Sequence, residues 1–269
     1  MTTSNDRMPG EPVKVLTIAG SDSGGAAGLQ ADLKTFTALG AYGMSVVTVV
    51  TAQNSQEVRA VLPLPVELVD DQLQAVLADY GAQAVKTGFI GQAALVERIA
   101  NRLATYRPPA VVVDPVLVNH GGQAMFPAEV TGAYRQWLLP LASLVTPNPE
   151  ETALLSGQEV SSLDDLVRAA GKILALGPGY VLAKGYVDGH EMVDVLVGGA
   201  RLQYFRRRLI DTQNTHGSGD TLSAAICVYL AQGRPVAVAV EEAGRCTQDA
   251  IRRAAGWHLG RGHGPVSHF

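Results

Sequence analysis

The segment Thr215-His216-Gly217-Ser218-Gly219-Asp220 has the residue types and spacing best suited to chemistry. It runs into Thr221-Leu222-Ser223-Ala224-Ala225, a small-residue stretch that reads as the start of a helix. Backbone N–H groups of Gly217, Ser218 and Gly219 at such a helix N-terminus suit a phosphate or a developing phosphoryl transition state. Asp220 sets a carboxylate beside them. Its bland role is helix capping, since acids are favoured at helix N-termini. Two other glycine-rich turns compete, residues 20–28 and 120–122. The first, GSDSGGAAG, lacks the G-x-G-x-x-G spacing of a dinucleotide fingerprint, and neither Lys34-Thr35 nor Lys86-Thr87 follows glycines at P-loop spacing. Glycine also permits tight connections that bind nothing, so the first turn is as readily structural as functional.

The elements that must position these residues alternate along the chain. Strands are expected over 13–19, 44–51, 84–90, 110–114, 144–146 and 180–184, rich in β-branched or continuous apolar sequence. Helices are expected over 29–39, 65–80, 92–105, 221–231 and 236–255, where apolar residues recur at helical spacing. Residues 192–197 and 202–210 read as a hairpin turning at Gly198-Gly199. Repeated strand–helix units predict an α/β fold, a mainly parallel sheet with helices on both faces. The expected organisation is a loose tail, 1–12, and one domain, 13–269.

Composition narrows the function classes. The 269 residues carry 21 Lys+Arg against 25 Asp+Glu, a net charge of −4, without the positive field of a nucleic-acid-coating protein. An apolar share of 47% excludes intrinsic disorder, yet no apolar run reaches the ~18 residues of a membrane span. The first eleven residues are polar and hold no signal-peptide stretch. Cys227 and Cys246 are too few for a disulfide scaffold and read as helical core or interface residues. His216, His263 and His268 form no convincing ligand cluster, and period-two alternation in Arg206-Arg207-Arg208 places Arg206 and Arg208 on one solvated strand face. A cytoplasmic protein without nucleic-acid or membrane partners is expected.

Taken together, TIAGSDSGGAAGLQADLKTFTALGAYG, TAQN, VVDPVL, TPNPEE, NTHGSGDTLSAA and the late GHGP resemble the hydroxymethylpyrimidine and phosphomethylpyrimidine kinases of thiamine biosynthesis, within the ribokinase-like superfamily. The likeness spans residues 15–265. It implies a ribokinase-like sheet with substrate and ATP at its strand ends, Mg²⁺ at the phosphates, and a homodimer. The implied reaction moves the γ-phosphoryl group of ATP to a pyrimidine alcohol and then to the resulting monophosphate.

The resemblance also implies residue roles. Gln53 matches the glutamine that reads the aminopyrimidine, its amide offering donor and acceptor together. Ala27, Asp32, Phe89 and Val116 fall on the substrate side, Asp32 in a structural or substrate-facing role. Core packing would explain Phe89 and Val116 equally well. Asn148 and Glu151 match the TPN-x-x-E pattern near Mg²⁺ and its waters, with Asp114 helping to organise them. Without that pattern they would read as a turn former and a helix-dipole partner. Lys184, Thr215 and Asn148 match positions near the nucleotide phosphates, and Asp220 with residues 217–219 would carry the transfer. Two residues depart from the family pattern: Asp220 stands where many members have Cys, and His120 where many have Lys. Asp at that point is usual in sugar kinases and many pyridoxal kinases. Pyridoxal kinase is therefore the runner-up, and a non-catalytic nucleotide- or vitamin-binding protein the second alternative.

Overall fold

A computed structural model describes residues 10–119 and 121–269. The expected tail therefore lies outside the described residues up to position 9, and residues 10–12 are exposed. One nine-stranded sheet forms the centre, in the order β3-β2-β1-β4-β5-β6-β7-β8-β9. The parallel set is β1 (Lys14–Asp22), β2 (Tyr42–Gln53), β4 (Ala84–Thr87), β5 (Ala110–Val113), β6 (Leu144–Val145) and β7 (Tyr180–Asp188). Antiparallel strands finish both edges: β3 (Val58–Pro63) on one side, β8 (Glu191–Gly198) and β9 (Arg201–Arg208) on the other.

Period-two alternation in the strands divides the core into two layers. Val111 and Val113 of β5 face a cluster with Leu73, Ile99 and Leu138. That side is covered by α2 (Val66–Asp79), α3 (Ala93–Tyr106), α4 (Ala128–Ala133), α5 (Pro149–Ser156) and α6 (Leu163–Leu174). Ala110 and Val112 face the other cluster, with Leu222, Ala225 and Val240. There the cover is α1 (Gly28–Ala38), α7 (Ser218–Ala231) and α8 (Val236–Ala254). Thr221 to Val228 are buried on every side of α7, so this helix has no solvent stripe, whereas α8 shields it with one apolar face.

Three details differ from the sequence reading. Strand β1 continues through Gly20 to Asp22, so the first glycine turn begins later; a Cβ on Gly20 would lie 2.6 Å from Val49 Cγ1. The hairpin turns at Gly199-Ala200 instead of Gly198-Gly199, with φ of 57° and 59°, the left-handed pair that matches strand twist. Strand β3 and helices α4, α5 and α6 had no counterpart among the expected elements. Arg206 is exposed and paired with Asp188 and Glu191, as the solvated strand face requires. Among the described residues no helix is long and apolar enough to cross a membrane.

Candidate active site

The C-terminal ends of the parallel strands all point to one edge, where α/β sheets bind ligands. The first glycine turn follows β1 there, and Asp22 organises it. Its Oδ1 accepts from Gly24 N–H at 2.8 Å, and its Oδ2 from Ala26 and Ala27 N–H at 2.9 Å each. Those amides are consumed internally, so this turn is a shaped wall and no anion nest. Ala27 is the N-cap of α1, its carbonyl accepting Ala31 N–H at 3.3 Å.

The second glycine turn leans on the first. Gly217 is the N-cap of α7 with φ 80°, and a Cβ there would fall 1.8 Å from the Ala26 carbonyl oxygen. Only glycine fits that close approach. Ser218 N–H bonds Thr215 O at 3.1 Å, which corrects the expectation of three free amides: the available donors are those of Gly217 and Gly219. The Thr215 hydroxyl is engaged by His263 Nε2 at 2.8 Å. Asp220 does not cap its helix. Its Oδ1 instead accepts from Lys86 Nζ at 3.0 Å.

Gln53, at the end of β2, reaches this junction from the other side. Its Nε2 lies 3.2 Å from His216 Nε2, and its Oε1 lies 3.4 Å from Thr51 Oγ1. His216 N–H bonds Gly264 O, and His263 N–H bonds Ser55 O, so the GHGP segment ties the Gln53 loop to the 215–220 turn. A cleft of about 360 Å³ is lined here by Asp22, Ala26, Asn54, His216, His263 and Trp257. Phe89 is half-buried in an edge-to-face pair with Phe126, ring centres 5.2 Å apart. Val116 is half-buried after Asp114.

A second polar group forms around Lys184. Strand β7 bulges between Ala183 and Tyr186, which turns the Lys184 side chain inward at the strand edge. Its Nζ donates to Asp114 Oδ1 at 3.0 Å and to the Thr146 carbonyl, with Glu151 Oε2 3.9 Å away. A Cβ on Gly219 would meet Lys184 Cε at 3.5 Å, so this lysine adjoins the α7 turn. Asn148 and Glu151 form a capping box on α5: Asn148 Oδ1 accepts Glu151 N–H at 2.8 Å, and Glu151 Oε2 accepts Asn148 N–H at 2.9 Å. Burial pushes the Glu151 carboxyl up to about 7 against the pull of Lys184. Burial would also raise Asp114, but Lys184 and Lys86 outweigh it and hold Asp114 below the ordinary carboxylate value.

Asp32 lies beneath this surface, fully buried, accepting from Thr17 Oγ1 at 2.5 Å and from Lys86 Nζ at 2.5 Å. It occupies the structural side of its expected role, with no face toward the cleft. Lys86 and Asp22 are the residues that motif reading passed over. A lysine inside the apolar strand sequence AVKTGFI was the available signal for the first. Position 120 lies outside the described residues. Among the described residues no group of three or more His, Cys, Asp or Glu could hold a metal ion.

A mostly parallel sheet whose strand ends gather an amide turn, a carboxylate and a lysine defines a ribokinase-like small-molecule kinase. The pyridoxal kinase of Staphylococcus aureus in complex with AMP-PCP shares this shape, with a TM-score of 0.90 and 35% identity covering 96% of this chain and 94% of that one. Phosphomethylpyrimidine kinase from Clostridium difficile is 39% identical with a TM-score of 0.80, covering 89% of this chain and 99% of that one. The chain belongs to the phosphomethylpyrimidine kinase family, whose model matches residues 22–267. The hydroxymethylpyrimidine/phosphomethylpyrimidine kinase of Streptomyces coelicolor is 48% identical over 260 residues, 97% of this chain and 96% of that protein.

Proposed function

We propose that the protein transfers the γ-phosphoryl group of ATP to 4-amino-5-hydroxymethyl-2-methylpyrimidine and then to its monophosphate, giving the pyrimidine diphosphate precursor of thiamine. The observation that carries the residue assignment is Asp220. Its carboxylate is withdrawn from helix capping and held at the mouth of the Gly217–Gly219 amide turn. Gln53 supplies one donor and one acceptor for the aminopyrimidine edge, with His216 steering its amide. Phe89, Val116 and the Ala27 methyl form the apolar part of the substrate wall.

In the first transfer Asp220 accepts the hydroxyl proton as the new P–O bond forms and the bond to the β-phosphate oxygen breaks, releasing ADP. Amides of Gly217 and Gly219, with the Lys184 ammonium, stabilise charge on the moving group. Asn148 and Thr215 border the nucleotide phosphates. Asp114 and Glu151 suit a magnesium ion that keeps its waters, because their oxygens already serve Lys184, Ser223 and the α5 cap. Such an ion neutralises phosphate charge when bound. Asn148 would join this set, its side-chain oxygen already holding the Glu151 N–H of the α5 cap. A homodimer is part of the same reading, from family likeness.

Coupled ADP release measured with the alcohol, its monophosphate and pyridoxal tests the assignment. Turnover of both pyrimidines with higher kcat/KM than pyridoxal supports it. Efficient turnover of pyridoxal alone replaces it with the vitamin B6 reaction.

A further inference from the structure

Strand β4 is buried on both faces, and a lysine stands in its interior. Lys86 has a side chain 0% exposed, on the same face as Ala84, under α1 and α7. Its Nζ bridges two helices. It donates to Asp32 Oδ1 from α1 at 2.5 Å and to Asp220 Oδ1 from the first turn of α7 at 3.0 Å. Thr17 Oγ1 fixes the other oxygen of Asp32 at 2.5 Å. A sealed ion pair is a weak source of stability, since apolar side chains of similar volume commonly do as well. Its cost is justified where it specifies geometry.

The geometry at Asp220 shows what is specified. Lys86 takes Oδ1 from below, while Oδ2 accepts no hydrogen bond among the described residues and the side chain is 16% exposed. One oxygen is anchored and the other is presented to the site. We infer that Lys86 is a positioning residue for phosphoryl transfer: clamped by Asp32 and Thr17, it pins one carboxylate oxygen of Asp220 so that the other faces the bound alcohol. Burial would push the Lys86 ammonium toward neutrality, but Asp220 and Asp32 outweigh it and keep it charged. This inference rests on Asp220 being the base.

Kinetics and thermal melts of four purified variants test it: Asp32→Asn, Lys86→Met/Asp32→Asn, Asp220→Asn and the triple combination. Lys86→Met alone strands a buried carboxylate, so the Asp32→Asn companion removes that charge. Relative to Asp32→Asn, the double variant should lose about tenfold or more in kcat on the alcohol, with the KM for ATP little changed. The triple variant should have a kcat little below that of Asp220→Asn alone, because Lys86 acts through the group already removed. A folded double variant with the kcat of Asp32→Asn, beside an impaired Asp220→Asn, overturns the positioning role and leaves the base intact. Fully multiplicative losses overturn it too. Near-normal kcat in Asp220→Asn removes the base itself, a separate failure. If the double variant does not fold, Thr17→Val carries the test by loosening the clamp with its charges in place. A fall in kcat of roughly three- to tenfold supports the inference, and an unchanged kcat overturns it.

Discussion

Two lysines, Lys86 and Lys184, each sit between two carboxylates at the same edge of the sheet, and they differ in one respect. Lys86 is sealed, 0% exposed, whereas Lys184 keeps 14% of its side chain open beside Gly219. The sealed ammonium can touch no ligand, so whatever it contributes must pass through Asp220 or through the packing of α1 against α7. The open one can meet phosphate oxygens directly. Similar chemistry therefore divides into a part that holds geometry and a part that meets charge. Strand architecture enforces the division: Lys86 lies inside a regular strand, and Lys184 at a bulge.

Asp220 is the proposed base, and its loss should have the largest effect. Asp220→Asn should lower kcat for the hydroxymethyl substrate by roughly 10²–10⁴-fold, the span of lost general-base help. The second transfer needs no such base, because a phosphate monoester attacks with an oxygen already ionised. Rates on the alcohol and on the monophosphate, measured separately, should split accordingly. Equal losses on both would assign Asp220 to binding instead of proton transfer.

The comparison itself is broken or kept by single lysine removals. Lys86→Met leaves Asp32 buried and unpaired, expected to cost about 3–5 kcal/mol of stability, or on the order of 10 °C in Tm. Lys184→Met should melt closer to the parent, since Ser223 and Thr146 still donate to Asp114. Its defect should appear in kcat/KM for Mg-ATP, on the order of 10–10²-fold. Differential scanning fluorimetry and ATP titrations would reverse the assignment if the two patterns were exchanged. Glu151→Gln should share the Lys184 pattern, with the α5 cap preserved by the amide oxygen.

Gln53 belongs to neither lysine group and sharpens the contrast from outside. Gln53→Ala should raise the pyrimidine KM by about tenfold, within the ~1–3 kcal/mol of a lost buried polar contact, while the ATP KM holds. A large ATP defect with normal pyrimidine binding would move Gln53 to the nucleotide. The smallest effect concerns His268, whose Nε2 meets Thr221 at 3.0 Å. Burial, then Lys34, lowers its pKa to about 4 from 6.5. A histidine depressed in the folded state contributes stability that is present above 6.5 and lost as pH falls toward 4. His268→Gln should therefore flatten the decline of Tm between pH 6.5 and pH 5, read by melts across that range.

Legibility in the sequence followed physical context. Strands β5 and β6 were readable because burial on both faces makes continuous apolar runs. Strand β3 was not, since all six of its residues are exposed and present no face to alternate. Helix α6 carried a usable signal, Ser162 capping Asp165 N–H before Leu166, Ala169, Ala170 and Ile173. The Asn148/Glu151 spacing was visible locally, and the capping box explains it without any ligand. Lys86 was weighed only against P-loop spacing. Its meaning requires Asp220, which no local pattern connects to it. The internal use of the first glycine turn was hidden likewise, because only the folded Asp22 shows where those amides go.

The hydrogen bonds that build the site join residues far apart in the chain: 163 positions between Gln53 and His216, 134 between Lys86 and Asp220, 109 between Asp114 and Ser223. Strand–helix pairs can collapse early from local contacts, yet none of them holds half a site. Closing loops of this length comes late, after the sheet exists to receive α7. Catalytic competence should thus be the last property gained on refolding, arriving as one cooperative step with the docking of a single helix. A lesion that slows that docking would reduce the number of working molecules and leave each finished one unchanged.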